Sequence, residues 1–168
     1  MPPIPAAASF EERLAELSLV SYQAGEIVFA AGSKTGLLLF LKKGTVAVIR
    51  EDVEIAKVME PGAVFGELSA LLDQPHSAEV RALEASQFHV AGAAVMQDPI
   101  AVLYIATVLA RRLDATNQAL AKLKSQVQEG QPLDVVSKTI DAMEALLRAS
   151  GASLANARSS KTRFFTER

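Results

Sequence analysis

The sequence predicts a mainly β fold with added α: an antiparallel roll or sandwich interrupted by one short helix, then a long helix and a shorter terminal one. Three observations predict it. Between Tyr22 and Val90, short runs rich in Val, Ile, Leu and Phe alternate with glycines at 25, 32, 44, 62 and 66, the texture of short strands joined by turns. From Ile100 to Glu129 there is neither glycine nor proline, so a continuous helix is allowed. After Gly130 and Pro132, the apolar residues Leu133, Val136, Ile140, Met143 and Leu147 recur at helical spacing.

Residues 1–9, MPPIPAAAS, are rich in proline and alanine and form an extended N-terminal segment. Ser9 with Glu12 matches the S-x-x-E capping box, which predicts a short helix over about residues 10–18. Strands are expected at 27–29, 37–41, 45–49, 55–59, 79–82 and 87–90. The stretch GELSALL, 66–72, reads instead as one or two helical turns, whose first N–H groups are free. Asp98-Pro99 starts the long helix over 99–129. On a heptad its a positions are Ala106, Leu113, Leu120 and Val127, and its d positions Val102, Leu109, Thr116 and Leu123. A lone helix would expose that seam beyond residue 113, so a homodimer through residues 101–128 is expected. Gly151 ends the second helix, and the tail ASLANARSSKTRFFTER is polar and basic. Residues 130–168 thus form a short helical extension.

Composition excludes several functions. The chain has 168 residues, half of them hydrophobic, with a formal net charge of -2. That balance does not suit a broad basic face for nucleic acid. With no cysteine and two histidines, neither disulfides nor a cysteine or multi-histidine metal site is expected. No secretory signal or transmembrane run is visible, which points to a cytoplasmic protein with no membrane contact. No nucleophile–base–orienter set and no P-loop occurs, so neither enzyme activity nor a cofactor is expected.

The segments GEIVFAAG, LFLKKGTVAV, EPGAVFGELSALL and PHSAEVRA occur in that order. Together they resemble the cyclic nucleotide-binding domain family, in its catabolite activator type, over roughly residues 10–128. The resemblance implies a jelly-roll β-roll with a phosphate cassette, and cAMP or cGMP as ligand. It implies that Gly66 admits the phosphate close to the backbone, with Leu68 and Ser69 in the first turn of the cassette helix. Glu67 would accept from the ribose 2′-hydroxyl. The N–H groups of Ser77 and Ala78 would close on the phosphate from the other side, with the Ser77 hydroxyl as a further donor. Thr116 and Asn117 fall where the catabolite activator type sets polar residues against the purine. An unknown protein partner would be met through residues 131–168. The winged helix-turn-helix that normally follows is not matched there, so direct DNA binding is not expected.

One position departs from the family. His76 stands where arginine normally grips the phosphate. Arginine keeps its charge and donates two parallel bonds, whereas histidine, with an ordinary pKa near ~6.5, is mostly neutral at pH 7. Losing a charge-assisted bond costs on the order of 1.5–3 kcal/mol, or roughly 10- to 150-fold in affinity. Two alternatives follow. The roll could be a dimeric interaction scaffold with a degenerate pocket. It could also be a haem sensor, since one haem-binding member of the superfamily uses a histidine in this loop and an N-terminal proline. Arg81 is no replacement, because strand alternation sends it away from the face of Val80. His89 reads as structural or surface.

Overall fold

The computed structural model describes residues 6–130, 132 and 134–141. Helix α1, Ala6–Glu16, leads into strand β1, Ser18–Tyr22. Then come β2, Ile27–Phe29; β3, Leu38–Lys43; β4, Val46–Arg50; β5, Val53–Val58; and β6, Val64–Phe65. The short helix α2, Glu67–Leu72, interrupts the roll before β7, Glu79–Ala82, and β8, Ser86–Ala91. A 3₁₀ turn, Ala93–Gln97, connects to the long helix α3, Pro99–Gln128. The strands form two four-stranded antiparallel sheets, ordered β1-β8-β3-β6 and β2-β7-β4-β5.

Strand β3 shows why the fold holds together. Its residues Leu38, Leu39, Phe40 and Leu41 are all fully buried. Leu39 and Leu41 face the second sheet, in a core shared with Phe29, Val46, Val80 and Phe88. Leu38 and Phe40 face the other way, into a second core with Phe10, Leu14, Tyr104 and Ile105 from the helices. A strand covered on both faces needs an unbroken apolar run, not an alternating one. Aromatic packing ties α1 and α3 to that sheet. The Phe10 ring lies 4.5 Å from Tyr104 and 5.3 Å from Phe40, centroid to centroid. The Tyr104 hydroxyl donates to the Gly62 carbonyl at 2.7 Å. Asp98 caps α3 by accepting from the Ile100 N–H at 3.0 Å, and it also pairs with Arg13 of α1.

Three expectations need correction. Helix α1 already runs at Ala6, so Ser9 lies inside it and not at its N-cap. It also ends at Glu16, and residues 18–22 form a strand. Only Val20 and Tyr22 of β1 pack on the core, a pattern too sparse to stand out in sequence. Strand β6 was not anticipated, because two residues carry no periodicity; it exists through pairing with Leu39 and Phe40. Beyond Gly130, residues 134–141 are helical. Thr139 is buried there, Val136 is half-buried and Ile140 is exposed. The Thr139 hydroxyl is satisfied locally by donating to the Val135 carbonyl at 3.2 Å. Leu133, Met143, Leu147, the basic tail and residues 1–5 lie outside the described residues.

The β4–β5 hairpin turns on Glu51 and Asp52, with φ of 51° and 63°. Two-residue turns of this hand favour Asn-Gly, because both residues sit in the left-handed region. Replacing Glu51→Asn with Asp52→Gly is expected to stabilise the fold by about 1 kcal/mol. Thermal unfolding should shift upward by roughly 2–4 °C; an unchanged or lower midpoint would contradict this account of the turn.

Candidate functional site

Gly66 sets the entry into α2. Its φ is +86°, and a Cβ there would lie 2.4 Å from the Leu37 carbonyl oxygen and 3.2 Å from the Phe29 ring. The backbone conformation and its neighbours therefore both require glycine. The next residue, Glu67, is only 5% exposed. Its Oε1 accepts from Arg112 Nη1 at 2.8 Å, and Arg112 Nη2 donates to the Val64 carbonyl at 3.0 Å. One guanidinium of α3 thus bridges the start of α2 and strand β6. Burial pushes the Glu67 pKa above its ordinary value, and the Arg112 charge opposes that rise.

Together these residues border a cavity of about 240 Å³. One side is the cassette: Gly66 to Ser69, facing His76, Ser77 and Ala78. The other is the β4–β5 wall, with Val48, Arg50, Ile55 and Val58. Arg112 lines it as well. Leu68 is half exposed. The Ser69 hydroxyl is committed to the Gln74 carbonyl at 2.5 Å, closing the end of α2. Asp73 ends that helix in the left-handed region and pairs with Lys34 at 2.6 Å. Lys34 holds the exposed Asp73 carboxyl below the usual range. The segment carrying His76 is docked on the 30–36 loop by two backbone bonds, Gly32 N–H to the His76 carbonyl at 2.9 Å and His76 N–H to the Ser33 carbonyl at 2.8 Å.

His76 is only 7% exposed. Its ring stacks on Phe29 at 4.2 Å, and its Nε2 is hydrogen-bonded to Thr35 Oγ1 at 3.0 Å. Burial pushes its pKa below the ordinary histidine value, so the free cavity keeps a neutral imidazole at the position where arginine is usual.

Of the site residues read from sequence, Gly66, Glu67, Leu68, Ser69, His76, Ser77 and Ala78 converge on this one cavity. Thr116 and Asn117 do not line it in the single chain. Thr116 donates to the Arg112 carbonyl at 2.8 Å, and Asn117 is exposed. Arg81 turns away from the cavity, as alternation requires, and pairs with Glu79 at 2.7 Å. His89 lies on β8, and its Nδ1 is buried without a hydrogen bond among the described residues. Sequence reasoning missed Arg112 and Arg50. The signal for Arg112 was the spacing of Ala101, Ile105 and Val108, which puts position 112 on the same inward face of α3. Among the described residues no cluster of three or more metal-ligating side chains occurs, and no helix is long and apolar enough to cross a membrane.

A two-sheet β-roll, a cassette helix opening one cavity, and a long helix that reaches back to the cassette define a ligand-domain architecture. Residues 19–100 match the cyclic nucleotide-binding domain family, and the roll over those residues is a domain of that family. Two solved structures share the fold, each with a TM-score of 0.56. Thermus thermophilus catabolite activator protein is 19% identical, covering 89% of this chain and 96% of its own. PKAR CBD2 bound to Sp-2Cl-cAMPS is 20% identical, covering 78% of this chain and 82% of its own. Uncharacterised ABC transporter ATP-binding proteins of Mycobacterium tuberculosis and Mycobacterium bovis are 31% identical over 104 residues. That alignment covers 60% of this chain, which spans 28% of those relatives.

Proposed function

We propose that the chain is a regulatory module whose cavity takes cAMP or cGMP, and that it binds its ligand without transforming it. The observation that supports this best is the buried Glu67–Arg112 pair beside the cassette. A carboxylate offers about four acceptor sites and Arg112 uses one. Glu67 is thereby fixed in rotamer, with capacity left for a ribose 2′-hydroxyl. The cyclic phosphate sits between the N–H groups that open α2 and those of Ser77 and Ala78. Two copies pair through α3, a protein partner meets residues 131–168, and the module works in the cytoplasm.

Calorimetric titration with both nucleotides tests the reading. Glu67→Gln keeps the shape and removes the charge, and should weaken binding by about tenfold or more. Unchanged affinity with unchanged circular dichroism would remove Glu67 from the ligand site.

A second reading, a scaffold with a degenerate pocket, draws on His76, whose ring is stacked and hydrogen-bonded within the protein. The pH dependence of binding separates the two. In the free protein burial lowers the His76 pKa, whereas a bound anion raises it. Binding then takes up a proton, so affinity should rise as pH falls from about 8 to about 6, around the ordinary value of ~6.5. The stability of the free protein runs the other way. Its unfolded chain accepts the proton first, so His76 costs stability as pH drops through that value. His76→Arg should strengthen binding and flatten the slope together. Failure of folded His76→Arg to bind either nucleotide at millimolar concentration favours the scaffold.

A further inference from the structure

Arg50 is the cavity's second cation. It is the last residue of β4, and strand alternation puts it on the face of Val48, which also lines the cavity. The extra residue of the β4–β5 ladder lies on the β5 side, where Val48 pairs with Ala56 and Ile49 with Glu54. The alternation of β4 therefore reaches Arg50 undisturbed. Its side chain makes no ion pair or hydrogen bond among the described residues, although Glu51 and Asp52 follow it in the turn. Arg112, by contrast, is held by Glu67 and the Val64 carbonyl. The β4–β5 wall is otherwise apolar, with Val48, Ile55 and Val58.

This arrangement bears on the identity of the ligand, and the inference rests on the reading above. With phosphate and ribose at the cassette, the base lies along the β4–β5 wall. Its flat faces suit Val48, Ile55 and Val58, and its polar edge meets Arg50. Guanidinium has donors only. Guanine presents two acceptors, O6 and N7, on one edge; adenine presents N7 beside the N6 amino donor. We infer that Arg50 reads the base, donating to both O6 and N7, and that the cavity therefore prefers a guanine-bearing cyclic nucleotide over cAMP. A well-formed bidentate pair corresponds to roughly 10- to 100-fold discrimination.

The test is calorimetric titration of the full chain, wild type and Arg50→Ala, with cGMP, cAMP and cyclic IMP, which carries O6 and N7 but no 2-amino group. Arg50→Gln serves as a second variant, and circular dichroism checks both folds. The expected result is wild-type preference for cGMP and cyclic IMP over cAMP by roughly 10- to 100-fold. Arg50→Ala should remove most of that preference by weakening the two O6-bearing ligands, leaving cAMP nearly unchanged. A wild type that binds cAMP as tightly as cGMP overturns the inference. So does an equal loss for all three ligands in Arg50→Ala, which would place the guanidinium on the phosphate. Both results leave the cyclic nucleotide reading intact. A wild type that binds none of the three at millimolar concentration overturns that reading, and this inference with it.

Discussion

Arg112→Ala is expected to destabilise the free protein by about 3–5 kcal/mol, because it strands the buried Glu67 carboxylate. For a chain of this size that is a drop of roughly 6–20 °C in the unfolding midpoint. The deficit should depend on pH in a defined direction. Burial already holds the Glu67 pKa above its ordinary value, and Arg112 is what restrains it. Without the guanidinium the pKa rises further, so the carboxyl can escape the penalty by taking up a proton. The loss should therefore be largest near pH 8 and shrink as pH falls toward 5. Arg112→Met with Glu67→Met should lose much less than Arg112→Ala alone, since replacing both partners of a buried pair by apolar groups is often neutral. Thermal unfolding of these variants across pH measures all of this. A loss of the same size at pH 5 and pH 8 would show that Arg112 acts through packing and not through its charge.

Much of the fold was legible because its strands are short and punctuated by turns. The positions of β2 and β7 match the apolar runs to the residue, and β3 was visible as an unbroken run because both its faces are buried. What stayed hidden depends on tertiary partners. Strand β1 is an edge strand paired only with β8, and β6 is two residues held by β3. The cassette showed through the motif, yet the reason for Gly66 is partly the Leu37 carbonyl and the Phe29 ring, which sequence distance conceals. The Glu67–Arg112 pair spans 45 positions, and no local pattern announces it. The same holds for His76. Its substitution for arginine was plain in the sequence, whereas its stacking on Phe29 and bond to Thr35 needed the 30–36 loop in place.

Leu120→Glu together with Leu123→Glu is expected to convert a micromolar dimer into a monomer. Helix α3 presents two distinct faces. Ala101, Tyr104, Ile105 and Val108 are buried against the rest of the chain. The heptad seam lies one residue further round, about 100° away at 3.6 residues per turn. Along it Leu113, Leu120 and Val127 are 60%, 60% and 68% exposed. One helix can therefore hold its own roll and meet a second copy at once. The polar residue in the seam does not oppose this, because the Thr116 hydroxyl already donates to the Arg112 carbonyl four residues back. Two glutamates per helix would bring four carboxylates into a paired seam, and each would lose its water without gaining a cation. Both positions lie well beyond Val108, so the roll should keep its stability, and Leu120 makes little packing in the single chain, being largely exposed. If Thr116 and Asn117 reach the base across the pair, as the family resemblance implies, nucleotide affinity should fall in step with dissociation. Affinity that survives in the monomer would confine the ligand site to one chain. Sedimentation at micromolar concentration decides the assembly, and a monomeric wild type would sink the proposal that α3 pairs with a second copy.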